Sequence, residues 1–327
     1  PPPPPPPPPF FFNPHPAIRD FCLSRGLGDV YKRQTLNILP KSLLKQWKEI
    51  LDKENIVYNK MSDFERIVFV PFNGFGEADL AVSSIFGKFF QLKGHKVSIL
   101  FCGGSLPCCG WNENGNGELN DEFMPQKFKL DKIKRCKSCF REINQLFPYL
   151  NIKLNNLNEF IDNNDLKKAE EFVDQQIDRN NLEKRIVYKG ITISEHSISS
   201  TLRKLLRGTL LNDNYSVAIY RRFLISSVIY VNLLEKFVKK EKPTKILCNH
   251  GIYLEHGVLI DFCKIHNIHA VVYGFPYRRN TIMAAHYDTY HRDYLSESNS
   301  RWENIELTKH QIEVAYSLGI PTIRINT

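Results

Sequence analysis

IVFVPFNGFGEADLAVSSIFGKFFQLKGHKVSILF, residues 67–101, is the stretch that decides the fold. Ile67, Val68, Phe69 and Val70 make a short apolar run of strand length, stopped by Pro71 and the loop Asn73-Gly74-Phe75-Gly76. Over residues 77–93, Leu80, Ile85, Phe86, Phe89 and Phe90 recur at helical spacing, and Gly94 closes the segment. Residues 97–101 supply a second apolar run. Strand, glycine loop, helix and strand in this order form a βαβ unit, and such units build parallel sheets. The expected fold class is therefore α/β, a Rossmann-like parallel sheet flanked by helices.

The alternation returns further along. Residues 245–248 read as a strand after Pro243, 257–266 as a helix, and 268–273 as a strand running into Gly274-Phe275-Pro276. Between the two βα regions the spacing predicts helices over 132–146, 165–178, 197–207 and 215–240, and a short strand or extended connection over 185–193. An amphipathic helix over 40–54 carries Leu43, Leu44, Trp47, Ile50 and Leu51 on one face, and a last helix is predicted over 308–318.

Both ends read differently from the middle. Residues 1–9 are all proline, which dictates an extended polyproline helix with no packable surface. AIRDFCLSRGLGDVYKRQ, residues 17–34, resembles translated sequencing-adapter read-through, and nothing there has the layout of a secretory signal. Residues 1–34 are read as foreign to the fold; the alternative is a proline-rich arm for an aromatic groove. Setting them aside leaves 40 basic and 33 acidic residues, a net charge of +7. That excess suits phosphorylated or anionic partners without demanding nucleic acid. No apolar run approaches the roughly 18 residues of a membrane span, and the expected location is the cytoplasm. The organisation expected is a helix and linker over 35–62, one domain over 63–305 with a cysteine-containing insertion at 102–150, and a linker helix cut short over 306–327.

Several residues could carry chemistry. Gly74-Phe75-Gly76-Glu77-Ala78-Asp79 follows a strand as Gly-x-Gly-x-x-Asp. A dinucleotide fingerprint wants Gly or Ala where Asp79 stands, so a nicotinamide cofactor is disfavoured. Asn73, Gly74 and Gly76 could still let backbone amides approach a bound group at a helix N-terminus. Seven cysteines follow residue 34, five of them Cys102, Cys108, Cys109, Cys136 and Cys139. The two-residue gap in Cys136-Lys137-Ser138-Cys139 suits one tetrahedral metal, so a structural zinc on Cys102, Cys108, Cys136 and Cys139 is one reading. Ordinary thiols and a disulfide are the others.

Glu195 and His196 lie where a loop enters a helix. Ser194 could cap that helix and Glu195 favour its positive end, or Glu195 or His196 could serve as general base. His250, Gly251 and Tyr253 directly follow a strand, where open α/β sheets bind ligands. Tyr277, Arg278 and Arg279 follow the next strand, and forked guanidinium donors suit phosphate. Arg203, Lys204, Arg207, Arg221 and Arg222 make a second basic group, readable equally as a solvated helix face.

Three segments together carry a resemblance: GHKVSILFCGGSLPCCGW with the later CKSC; GITISEHSISSTLRKLLRGTL; and HGIYLEHGVLIDFCKIHNIHAVVYGFPYRRNTIMAAHYDTYHRDYLSE with Trp302-Glu303. In order and content they resemble bacterial capsule-polysaccharide-biosynthesis proteins related to glycosyltransferases of GT-B architecture. The resemblance implies two Rossmann-like domains facing a cleft, the second holding most of a nucleotide-sugar donor. It implies sugar transfer to a capsule or other surface glycan or lipid-linked acceptor, with no cofactor needed for catalysis and peripheral membrane association allowed. The chain then reads as the N-terminal, acceptor-side half, with the C-terminal domain missing and no activity of its own. A non-catalytic scaffold of polysaccharide assembly and a GT-B-shaped sugar-nucleotide epimerase or hydrolase are the alternatives.

Overall fold

The computed structural model describes residues 43–52, 65–72, 74, 76–110, 134–162, 164–276 and 281–292, together with 308, 309 and 313. The chain divides into two compact units, Pro1–Val57 and Tyr58–Thr327. In the first, helix α1 spans Leu43–Leu51, inside the amphipathic segment read from the sequence.

The second unit is built on a six-stranded sheet: β1 (Arg66–Phe72), β2 (Lys96–Phe101), β3 (Lys153–Asn156), β4 (Lys245–Asn249), β5 (His269–Gly274) and β6 (Met283–His286). Their spatial order is β3-β2-β1-β4-β5-β6. Every pairing is parallel except β5 with β6, which is antiparallel. The chain lays its first three strands outward from β1 in one direction, then returns to β1's other side with β4. In open α/β sheets this reversal opens a crevice at the carboxyl ends of the two central strands.

The helices are α2 (Glu77–Leu92), α3 (Lys134–Tyr149), α4 (Asp165–Gln176), α5 (Ile193–Leu205), α6 (Asn214–Glu241) and α7 (Leu254–Ile265), with a 3-10 turn at Leu157–Phe160. Side chains alternate across the sheet. Phe69 faces Phe90 of α2 and Phe101 faces Phe140 of α3, while Val68, Val70, Leu100, Ile246, Cys248, Ala270 and Val272 join the core around α6. Both faces are covered, which is why the central strands read as continuous apolar runs.

Helix α6 is the longest element, 28 residues, and is buried along most of its length. It is long and apolar enough to cross a membrane, but 78% of that window is buried inside the protein. Such burial is the pattern of a core helix. It packs on α4, α5 and α7.

Two differences from the sequence reading have local causes. β1 does not stop at Pro71 but continues to Phe72, and its register with β2 shifts between Phe69 and Phe72, around the residue that lacks an amide hydrogen. Strands β3 and β6 are absent from the sequence reading; each is four residues long at an edge of the sheet. Residues 185–193, read as a short strand or extended connection, carry an isolated bridge between Tyr188 and Ile191. The helix predicted over 308–318 lies almost wholly outside the described residues.

Leu206 ends α5 in the left-handed conformation, φ 52°, with its side chain 73% exposed. The position carries a Cβ penalty and little packing to offset it. Leu206→Gly is expected to raise unfolding stability by about 0.5–1 kcal/mol in urea denaturation.

Candidate functional site

At the carboxyl edge of the two central strands the backbone leaves the ordinary regions. Phe72, the last residue of β1, has φ 60°, and His250, directly after β4, has φ 66°. The Gly251 amide donates to the Asn249 carbonyl at 2.8 Å, closing a three-residue turn with His250 at its centre. A non-glycine residue at positive φ in so tight a turn is strained, and such strain concentrates at functional sites. Gly251 follows at φ 81°, and a Cβ there would lie 2.6 Å from Ile260 Cδ1. The flexible glycine expected after β4 is thus a packing requirement of this turn.

The crevice between the strands is bridged by side chains. Asn249 Nδ2 donates to Asp79 Oδ1 at 2.7 Å, joining the end of β4 to the first turn of α2. The Tyr273 hydroxyl, at the end of β5, lies beside Asp79 and Ser83 but closes no hydrogen bond of normal geometry to either. Burial raises the Asp79 pKa to about 6, against the lowering effect of Asn249 and Tyr273. Asp79, seen in the sequence only as a break in a dinucleotide fingerprint, is the carboxylate at the strand-order reversal. What could have pointed to it is its place three residues after Gly76, in the turn that opens over the sheet.

Among the described residues, nine buried side-chain nitrogen or oxygen atoms have no hydrogen-bond partner, and His250 Nδ1, His256 Nε2, Tyr273 Oη, Ser83 Oγ and Thr289 Oγ1 are five of these. All five belong to residues at or beside this edge. Unpaired buried polar atoms are costly in a structure, and a group of them at one edge calls for an explanation such as a ligand, an ordered water or a catalytic role. His256 meets Phe72 edge-on, and burial together with the neighbouring His250 pushes its pKa down to about 3. Burial, then His291 and Arg203, bring His250 down to about 4. Both imidazoles are neutral near pH 7.

A second cluster continues from His250. Its ring centroid lies 5.2 Å from Tyr253, 5.1 Å from His291 and 6.0 Å from Tyr290. The Arg203 guanidinium, from α5, stacks 4.2 Å over the Tyr253 ring. Arg292 meets Glu195 at 3.4 Å and Asp288 at 3.7 Å.

The residues named from the sequence therefore part ways. His250, Gly251 and Tyr253 stand together at the crevice. Glu195 is exposed and reaches it only through Arg292, the neighbour of His291. His196 has a different task from the general base expected of it. Its Nδ1 bonds to the Ile252 carbonyl at 2.8 Å and its Nε2 to Asp261 Oδ2 at 2.9 Å, so neither ring nitrogen is left for a substrate. The ring ties α5 to the loop before α7 and to α7 itself. Burial works to raise the Asp261 pKa, but the hydrogen bond and charge of His196 outweigh it and hold the carboxyl below its usual range. Ser194 is not the helix cap; α5 begins after Thr192, and Ser194 Oγ accepts from the Ile186 amide at 3.0 Å.

The glycine loop also does other work than cradling a ligand. A Cβ on Gly74 would stand 1.9 Å from the Cys139 carbonyl oxygen, and the Gly74 amide donates to Cys139 Sγ at 3.1 Å. Gly76 precedes α2, where a Cβ would come within 2.9 Å of Asp79 Oδ2. Asn73, Tyr277, Arg278 and Arg279 lie outside the described residues. Of the second basic group, Arg207 pairs with Asp213, Arg221 is held by both oxygens of Asp174, and Arg222 is buried in α6.

Of the cysteines read as zinc ligands, Cys139 has Cys102 and Cys136 as electrostatic neighbours and takes a hydrogen bond from the Gly74 amide, whereas Cys108 Sγ sits 3.4 Å from Ser226 Oγ of α6. Among the described residues no group of three or more Cys, His, Asp or Glu is placed to hold a metal. Residues 102–108 are buried, and just beyond them the exposed Gly110 donates its amide to the Glu255 carboxylate at the start of α7. Compared with protein-family models and with curated proteins, the chain gives no match.

Two outcomes follow from these contacts. A Cβ at position 257 would lie 2.1 Å from His196 Nδ1 and 2.6 Å from the Ile252 carbonyl, so Gly257→Ala is expected to cost about 1–3 kcal/mol in denaturant unfolding. Asp79 has a folded pKa of about 6, above its unfolded value, so the native state binds the extra proton and loses stability as pH rises from about 4 to 6. Asp79→Asn, which can still accept from Asn249, removes that slope and gains on the order of 2–3 kcal/mol at pH 7, read from unfolding curves across pH.

Proposed function

We propose that the Tyr58–Thr327 unit is the acceptor-binding side of a glycosyltransferase that extends a surface polysaccharide, using a nucleotide-sugar donor, and that Asp79 is its general base. The observation that carries the reading is the Asp79–Asn249 bond across the crevice between β1 and β4. It holds a carboxylate at the ligand-binding edge of an α/β sheet with a pKa near 6. A base tuned toward neutrality is ionised at working pH and still basic enough to take a proton from a sugar hydroxyl.

The step is a displacement at the anomeric carbon. The acceptor hydroxyl gives its proton to the Asp79 carboxylate as its oxygen bonds to that carbon. The bond from the anomeric carbon to the diphosphate oxygen breaks, and the nucleoside diphosphate leaves with the electron pair. Asn249 holds the carboxylate in place through the cycle, and the hydroxyls of Tyr273 and Thr289 offer unpaired groups for sugar hydroxyls. In this reading the donor is held by a second Rossmann-like domain in a GT-B arrangement, as the resemblance of the three sequence segments implies. The reaction is set in the cytoplasm, where nucleotide sugars are the donors.

Sugar transfer from labelled nucleotide sugars to lipid-linked glycan acceptors, by the full gene product, tests this. Asp79→Asn is expected to lower kcat by about 100-fold or more while the protein stays folded, and wild-type kcat/KM to rise with pH through about 6. Transfer by Asp79→Asn at the wild-type rate would exclude Asp79 as the base. Absence of transfer with every donor would remove the glycosyltransferase reading.

A further inference from the structure

Beside the crevice, three groups that can carry positive charge meet with no carboxylate of the described residues among them. Tyr253, at the start of α7, is the hinge of the cluster: Arg203 stacks on its ring at 4.2 Å and His250 lies 5.2 Å from the ring centroid. His291 approaches His250 from the other side, at 5.1 Å. The nearby acids are already engaged, since Glu195 and Asp288 both face Arg292. Asp79 is turned to Asn249, the residue before His250. Among the described residues Arg203 has no carboxylate partner, and its stack on the Tyr253 ring orients the planar fork without neutralising it. His250 Nδ1 is buried and unpartnered. Arg203 and His291 both act on the His250 ring as like charges.

We propose that Arg203, His250 and His291 form an anion subsite that takes a phosphate group of the acceptor, next to the carboxylate that receives the acceptor's proton. A dianionic phosphate fits the set: a guanidinium fork for two of its oxygens, an imidazole N–H on each side, and relief of repulsion that no group among the described residues supplies. The subsite stands on the geometry of these three side chains. Its assignment to the acceptor rests on the glycosyltransferase reading, and makes the acceptor a sugar carried on a phosphate, such as a lipid-linked one, rather than a neutral glycan.

Inorganic pyrophosphate is the probe for the site itself. Binding measured by calorimetry is expected for the wild-type protein, to be weakened about tenfold or more in Arg203→Gln and His291→Gln, and to be retained in Asp79→Asn. An NMR titration of His250 should move its pKa upward when pyrophosphate is present. No wild-type binding at millimolar pyrophosphate, or unchanged binding by Arg203→Gln with its folded spectrum intact, overturns the subsite. Kinetics then separate the two phosphate sources. Arg203→Gln is expected to raise KM for a phosphate-linked acceptor with the donor KM unchanged; a rise confined to the donor KM overturns the acceptor assignment. Pyrophosphate binding that depends on Arg203, in a protein with no transfer activity, would uphold the subsite while removing the glycosyltransferase reading.

Discussion

The packing of α6 is the constraint on which the rest of this fold depends. Fixing 28 residues in one helix loses conformational entropy that a helix in water scarcely recovers, so α6 must bury nearly all of its sides. It does so by lying against the sheet face of Val68, Val70 and Ile246 while α4, α5 and α7 close around it. The long excursion between β3 and β4 exists to build this layer. From the end of α6 the chain returns as β4 on the free side of β1, and the strand order reverses there. The crevice is the geometric result of that return.

The polar contacts on the α6 side serve the same end. α5 meets its neighbours through small hydroxyls: Ser197 bonds Ser227 of α6 at 3.0 Å, and Ser200 Oγ accepts the Leu254 amide at the start of α7 at 2.8 Å. His196 then joins Ile252 and Asp261, with Gly257 leaving the space for its ring. These contacts fix where α7 begins. The α7 N-terminus in turn fixes Tyr253, and with it the placement of Arg203 and His250. A residue that looked catalytic by type ties α5 to α7, and so sets where the groups around it lie.

The same trade between stability and use is written in the crevice. Asp79 is buried at a cost to its charged form, His250 is held at positive φ, and five polar atoms nearby go unpaired. Each of these destabilises the protein alone. Their concentration at one edge of the sheet, rather than their individual identities, distinguishes a site from ordinary imperfection.

How much of this was legible beforehand follows from the range of the forces involved. The sequence by itself determined the βαβ unit of residues 67–101, the apolar central strands and the helices, because apolar periodicity and glycine or proline stops act over a few residues. It also marked His250 and Gly251, whose place after a strand is a local fact. It did not show β3 or β6: KLNN and MAAH are short, and edge strands with one neighbour need little apolar sequence. The meeting of Asp79 with Asn249, 170 residues apart, was decided only by the tertiary structure. So was the engagement of both nitrogens of His196. Charge, burial and hydrogen-bond partnership are properties of neighbours in space, and a sequence records only neighbours along the chain.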